Sequence, residues 1–468
     1  GVWMLDGANA NGGYPVFGQL RAAADWSEVG AGVDAGLIAG TGFKPAGDGA
    51  GTPYQIGTPE AFAWFAYYVN LDAANQGASA VLDDDVDLAG SEYTGQAAAG
   101  DLFENCLKWK SIGTYKGTFD GNRKAVRDLR ADGGLFTTLS GGTVQDLGVD
   151  SGRVGANSVG YAGAVASDTA KNTPSKILRC YNKADVVAGN EVKWTYVGGV
   201  VGALRPGCTL EDCFNTGEVG IAKTVDQTCD TLAAAGVVGY LFGGAVSDCY
   251  SAGRVFLDAP AKTLLSDMVV NVVNGAPTGC YYDSSFVEEG GAGTAGGTGL
   301  TTAQLQSWAA AYALNNGKLG PEGAWTQSGS DYPSFGELRA AADWSEVGFG
   351  VDAGLISSKP AAASGDVYQV TSPEQLAWVA YKSNNGTPGI KAKVTASSAA
   401  LDLLGASYQA AGATAPLAWK PIGADASKPY TGTFDGNKAV VKNLSIPQSA
   451  KQANAGLFGT LGAASSVS

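Results

Sequence analysis

Between Gly160 and Ser285 the apolar positions fall in short runs rich in Val, Tyr and Phe, broken by Gly, Asn and Asp. No stretch of this region carries the longer three-to-four-residue spacing of an amphipathic helix. Short apolar runs with turn residues between them predict strands. The runs also recur. Cys180-Tyr-Asn-Lys-Ala-Asp-Val186 returns as Cys213-Phe-Asn-Thr-Gly-Glu-Val219 and as Cys249-Tyr-Ser-Ala-Gly-Arg-Val255, and a degenerate copy opens at Cys280-Tyr281-Tyr282. A small apolar block precedes each of the first three, at Gly160–Val165, Val197–Gly202 and Ala235–Tyr240. A period in the thirties means stacked units, each too small to bury a core alone. About three short strands per repeat use up roughly 30 residues, so the expected fold is an all-β solenoid, a β-helix with one repeat per rung. Equivalent residues then stack about 4.8 Å apart. Cys180, Cys213, Cys249 and Cys280 form an internal ladder in this reading. Tyr181, Phe214, Tyr250 and Tyr281 form a second column, which we assign to the core.

Helical periodicity appears only at the ends. Thr58-Pro59-Glu60 reads as a cap, a first-turn proline and an acid at the positive end of a helix. Phe62, Phe65, Ala66 and Val69 then share one face, predicting a helix over about 58–70. Ser372-Pro373-Glu374, followed by Leu376, Val379 and Ala380, repeats the design. A second helix is expected over about 302–316, with Leu305, Trp308, Ala309 and Tyr312 inward and Asn316-Gly317 as its stop. Both read as caps over open rungs, whose edges would otherwise recruit other strands.

A longer duplication frames the repeats. Tyr14 through Trp26 to Ile38 returns as Tyr332 through Trp344 to Ile356, Tyr54–Trp64 as Tyr368–Trp378, Gly117–Asn122 as Gly432–Asn437, and Gly134-Leu-Phe136 as Gly456-Leu-Phe458. The expected organisation is a window on a tandem array. Residues 1–40 are the tail of one module and a linker, and 41–335 are a complete module with rungs over about 117–285. Residues 336–360 are a linker for which helix and extended forms are both open, and 361–468 begin the next module.

Gly117-Thr-Phe-Asp-Gly-Asn122, Gly134-Leu-Phe136, Val197-Gly-Gly-Val-Val-Gly202 and Cys213-Phe-Asn-Thr-Gly-Glu-Val219, taken in order, resemble the bacterial surface proteins that carry the GLUG motif. Tyr54-Gln-Ile56, Asp85-Val-Asp-Leu88, Trp109-Lys-Ser-Ile-Gly113 and Tyr332-Pro333 are similar to the same pattern. The resemblance implies a right-handed parallel β-helix with short capping helices, in tandem modules, on large secreted or wall-attached proteins of adhesin-like character. Such repeats also accompany some secreted peptidases as accessory modules. It implies no catalytic residue and no particular ligand.

Composition narrows the chemistry. A formal net charge of −14 argues against nucleic-acid or anionic-membrane partners. No run of 18 apolar residues is present, so no membrane insertion is expected. The chain has no histidine, which removes Ser-His and Cys-His nucleophile systems and every histidine metal site. Seven cysteines leave at least one unpaired within the chain, and Cys208 and Cys229, off the ladder, are the disulfide candidates.

Four groups of residues remain as candidate sites. Asp83, Asp84, Asp85 and Asp87 have the oxygen density of a Ca²⁺ site. Their counterpart, Ala399-Ala400-Leu401-Asp402-Leu403, keeps only the last acid. A solvated acidic turn is therefore the preferred reading, with Asp87 bonded to backbone, and no other metal or cofactor is expected. Asp120 and Asp435 belong to Asp-Gly-Asn turns. Lys110, Lys116, Arg123 and Arg127 are the basic set that a β-helix lyase would need beside Ca²⁺. Trp194 and Tyr196, read as an insertion between rungs, are the candidate surface contacts. The expectation is a structural or adhesive module of a large extracellular bacterial surface protein, not an enzyme, whose partners are other copies of itself or a host or glycan surface. The alternatives are a self-assembling filament or surface-layer subunit, and a β-helix polysaccharide lyase or glycoside hydrolase.

Overall fold

The structure is a computed structural model that describes residues 3–5, 15–17, 22–38, 44–90, 92–93, 106–156, 158, 160–189, 192–223, 228–259, 261–267, 269–287, 296–395, 400–447 and 454–468, with backbone alone for 3–5, 15–17, 263–266 and 272–273. Much of the duplicated opening from Tyr14 to Arg21 lies outside the described residues. The chain divides into two compact units, Gly1–Gly299 and Leu300–Ser468. The first is built mostly of β structure in parallel sheets, the second holds more helix than strand, and among the described residues neither forms a closed barrel.

In the first unit, α1 (Trp26–Asp34) is capped by Asp25 and packs on α2 (Pro59–Leu71), capped by Thr58. Part of the segment read as a tail and linker is thus a packed helix. Trp26, Val29 and Val33 supply its buried stripe, and Gly30 lets the two helices touch. Phe62, Phe65 and Trp64 of α2 are fully buried, and Phe62 stacks on Trp109 at 4.5 Å.

Beyond them, successive repeats pair parallel and in register. Thr118–Arg127 pairs with Thr143–Val149, and that strand with Lys176–Leu178 and Tyr181–Asn182. The series continues through Thr209–Glu211 and Phe214–Asn215 to Ala245–Ser247 and Tyr250–Ser251. Three more sheets each take one strand per repeat. Two of them begin at Leu129–Asp132 and Tyr161–Ala162, and the third at Ile112–Tyr115. A full repeat therefore holds five short strands in four sheets, where the sequence suggested about three strands. The extra pieces arise because a left-handed residue kinks the first strand, which is continuous through Asp146 but split at its later counterparts. Asp146, Arg179, Asp212 and Asp248 have φ of 50–55°, and Gly279 follows at 62°. Aspartate tolerates this region better than most residues. Arg179 is held by a two-pronged bond to Asp146, at 2.7 Å for each pair.

The interior is built from columns. Val144, Ile177, Leu210 and Val246 lie side by side in register and are buried. Cys180, Cys213, Cys249 and Cys280 form the expected inner ladder, in which the Cys180 and Cys213 amides each donate to the next sulfur at 3.4 Å. Two residues on, Asn182 and Asn215 form a second buried column. Asn182 Nδ2 donates to Asn215 Oδ1 at 2.7 Å, and Asn215 Nδ2 to the Gly217 carbonyl at 2.8 Å.

The aromatic column departs from expectation. Tyr181, Phe214, Tyr250 and Tyr281 lie between inward Cys and Asn positions, so strand alternation turns them to the opposite face. They do stack: Tyr181 on Phe214 at 4.9 Å and Phe214 on Tyr250 at 5.0 Å, with ring planes nearly parallel. Phe214 and Tyr250 are buried without belonging to the central core.

The second unit begins with α3 (Thr302–Leu305) and α4 (Trp308–Leu314), separate helices because Ser307 caps a new start. The sequence assigned this stretch to the preceding module as a cap. Its contacts group it with the second unit, where Tyr312 meets Tyr408 at 5.5 Å. Residues 336–360, read as a linker open between two forms, contain α5 (Trp344–Ala353), which packs on α6 (Pro373–Asn384) through Trp344, Val347 and Gly348. Val367–Val370, Lys391–Val394, Thr433–Asp435 and Ser466–Val467 then pair parallel in sequence order.

The duplication extends to individual bonds. Trp64 Nε1 donates to Asp34 and Trp378 Nε1 to Asp352, each at 2.9 Å. Tyr93 donates to Glu60 at 2.9 Å and Tyr408 to Glu374 at 3.0 Å.

Candidate binding surface

Trp194 and Tyr196 lie on Trp194–Gly198, a strand paired on both sides, by Tyr161–Ala162 and Cys229–Ala235. They are not in an inserted loop, as the sequence suggested. The strand alternates, so Thr195 and Val197 are buried while Trp194 and Tyr196 face outward. Trp194 is 48% exposed.

The parallel register brings further aromatics to this face. Tyr161 pairs with Tyr196, and their rings stack at 5.4 Å. Tyr240, on the adjoining Val238–Phe242 strand, reaches Tyr196 at 4.6 Å, and Phe242 lies 6.1 Å beyond it. The outcome is a continuous outer row, Tyr161–Tyr196–Tyr240–Phe242, with Trp194 beside it. The bend between the two sheets depends on Gly199. A Cβ there would stand 2.2 Å from the Gly236 carbonyl oxygen and 2.4 Å from Asn215 Cγ. The Gly198-Gly199 pair thus sets the angle at which the rings meet.

One end of the row is fixed by charge. Arg205 bonds Asp168 in a fork, 2.7 Å on each prong, and its Nη2 donates to the Tyr161 hydroxyl at 3.1 Å. Burial pushes the Asp168 carboxyl up, and the Arg205 guanidinium offsets only part of this. Burial also raises the Tyr196 phenol, helped by its two tyrosine neighbours. At the other end Lys193 stands 4.9 Å over the Trp194 ring and pairs with Asp230 at 2.7 Å. Stacked rings with one exposed tryptophan present flat apolar area edged by hydrogen-bonding groups. Such a surface suits the face of a sugar ring or a planar side chain better than a small anion.

The acidic run behaves differently. Asp84 accepts from the Asp85 amide at 2.8 Å. Asp85 takes the Ala125 amide at 2.9 Å and Arg127 Nη2 at 2.6 Å. Asp87 accepts from the Ala89 amide at 2.8 Å, as Asp402 does from Leu404 at 3.0 Å. Asp83 is exposed. Among the described residues no three carboxylates or thiols converge as a metal site. Arg127, from the basic set, is bound to Asp85 and stands 3.7 Å from Asp150. Asp120 accepts from the Asn122 amide at 2.7 Å and Asp435 from Asn437 at 2.8 Å, so both serve their turns.

Cys208 and Cys229 are not joined. All seven cysteines are buried and none is in a disulfide, and Cys208 donates to the Thr173 carbonyl at 3.1 Å. Cys208 precedes the strand Thr209–Glu211, and Cys229 opens Cys229–Ala235 in another sheet. Burial and the neighbouring sulfurs push the Cys180 and Cys249 thiols well up, which keeps them protonated.

Sequence reasoning found Trp194 and Tyr196 but missed Tyr161, Tyr240 and the Arg205–Asp168 fork. Tyr161 and Tyr240 both sit in the apolar blocks already aligned as repeats, and that alignment was the available signal. The fork spans 37 residues of chain and left no mark on local pattern.

No known protein family and no curated protein matches the chain. Among solved structures, a crystal structure of a "putative immunoglobulin A1 protease" from Bacteroides ovatus aligns with 67% of this chain and 97% of its own, at 16% identity and a TM-score of 0.40. That likeness is too slight to bear on function.

Proposed function

We propose that the chain is a structural and adhesive module of a large extracellular bacterial surface protein, and that its repeats coil as a right-handed β-helix. Four sheets that each take strands from successive repeats, in sequence order, support the coil, and parallel crossovers are right-handed in about 98% of cases. The duplicated helix pair at the head of each unit supports modules in tandem. The outer aromatic row carries the adhesive reading, because it is a flat contact surface with no acid-base pair or metal set beside it among the described residues. Its ligand is a glycan or another surface with ring faces to stack on.

Two measurements test this. Electron microscopy across a dilution series should show single rods of fixed length. Ordered filaments that persist on dilution would replace the adhesive reading with self-assembly. A glycan array probed with the parent and with Trp194→Ala should show binding that the variant loses by roughly tenfold or more, with unfolding unchanged. Equal binding by both would reject the row as the contact surface, and turnover of any polysaccharide would reject the non-enzymatic reading.

A further inference from the structure

A second site lies away from the aromatic row, inside the second unit. A cleft of about 440 Å³ is bounded by the start of α4, by α5, by the end of α6 and by Lys420. The volume is within the range of small-molecule sites. Its apolar wall is Phe349 and Tyr381, both half-buried, with ring planes 82° apart at 5.5 Å. Amide groups of Gln306 and Asn385 line the polar side. The charge is unevenly assigned. Arg339 is already committed to Glu346, bonded at both nitrogens, 2.9 and 2.6 Å. Lys420 is exposed and has no ionic partner among the described residues.

The first unit supplies an independent observation. Its small surface depression is lined by Ser27, Tyr67, Asn70 and Lys110, which occupy the positions of Ser345, Tyr381, Asn384 and Lys420. Between the copies Trp26, Val29 and Trp64 are kept as Trp344, Val347 and Trp378, while other buried positions have drifted, Phe62 to Leu376, Phe65 to Val379 and Val69 to Ser383. The exposed lysine and the half-buried tyrosine have not. The asparagine has a structural role in both: Asn70 and Asn384 tie the helix to the loop after the lysine. Each tyrosine also has its Cβ beside the glycine where the helices meet, whereas among the described residues no hydrogen bond or ion pair ties down either lysine.

We propose that this cleft binds a saccharide carrying a carboxylate, with the sugar ring against Tyr381 and Phe349, its hydroxyls on the amides and its carboxylate on Lys420. Ring faces and planar amides suit the sugar, and an unneutralised ammonium at the rim selects the acid form. Phe349 replaces Ala31 of the first copy, so the second unit has the fuller site.

The test is titration of the full chain with glucuronic acid and with glucose, followed by ligand-observed NMR. Glucuronate should bind at least five times more tightly than glucose at low salt. Lys420→Gln should abolish that preference and leave glucose binding as it was. Tyr381→Ala should weaken both sugars. Lys391→Gln, at an exposed lysine of the same unit outside the cleft, should change neither, which separates the Lys420 effect from a general loss of positive charge. No preference for glucuronate, or a preference that survives Lys420→Gln, overturns the proposal. Because Lys420 is exposed, its variant folds, and its result stands even if Tyr381→Ala is destabilised.

Discussion

Gly30 and Gly348 provide a sign test for how the capping helices are held together. Each lies within a helix, α1 or α5, where alanine is favoured over glycine by about 1 kcal/mol. Local propensity therefore predicts that Gly→Ala stabilises. Packing predicts the reverse. A Cβ on Gly348 would stand 2.4 Å from the Ala377 carbonyl oxygen and 2.7 Å from its carbon, and one on Gly30 would stand 2.3 Å from the Ala63 oxygen. These obstacles are backbone of the partner helix and cannot swing away. Relief needs a helix shift of about 1 Å, and a gap of that size forfeits a quarter to a half of each facing contact. Overpacking of this kind costs about 1–3 kcal/mol. Crowding against backbone belongs at the upper end, so about 3 kcal/mol less 1 of propensity leaves a net loss of about 2 kcal/mol for Gly348→Ala. In a unit of this size that is a Tm lower by roughly 4–8 °C. Gly32→Ala, in the same α1, is the control. Its Cβ meets only Ile38 Cδ1 and Cγ1, at 2.8 Å, the movable end of a side chain. Propensity should prevail there, with stability unchanged or slightly raised. Urea and thermal unfolding by circular dichroism measure all three. If Gly30→Ala and Gly348→Ala are as stable as the parent or more so, the close helix contact does not exist as described.

Three further outcomes are expected. Asn215→Ala should destabilise by about 2–4 kcal/mol in urea unfolding, because it removes two buried hydrogen bonds and leaves a void; a loss below 1 kcal/mol would mean the asparagine column is not closed. Asp150→Asn should lower stability at pH 7, and the deficit should begin to shrink as pH falls below about 3.9 and vanish only below the folded pKa. Burial opposes ionisation of Asp150, but bonds from Lys183 and Tyr181 and the charge of Arg127 outweigh it and lower the folded pKa, so its stabilisation exists above the unfolded pKa and is lost as pH falls through the folded one. A deficit that stays constant as pH falls from about 5 to about 2 would point to packing instead. Native protein should leave all seven thiols unreactive toward a thiol reagent, and denatured protein should titrate seven; a substoichiometric count after denaturation without reductant would reveal a disulfide.

The repeat period, the strand character of Gly160–Ser285, the Cys column and the helix starts at Thr58 and Ser372 were legible in the sequence. All are local: spacing, turn residues and caps act within a few positions. The faces of the aromatic column were not, because a Cys-Tyr-Asn triplet looks alike whichever way its middle ring points. Alternation settles it only once the inward side is known, and the buried asparagines supply that knowledge. The helices at Trp26 and Trp344 were equally hidden, since their glycines read as linker until a partner helix explains them.

By itself the sequence determined what repeats and how often, hence which residues share a column. Chemistry that acts along one short stretch of chain was enough for that. Tertiary structure decided which columns face in, how sharply the sheets bend at Gly199, and therefore that Tyr161, Tyr196 and Tyr240 meet on one surface. It also decided that Arg339 is spent on Glu346 while Lys420 is not. These are matters of distance between residues far apart in the chain, and only close packing sets such distances.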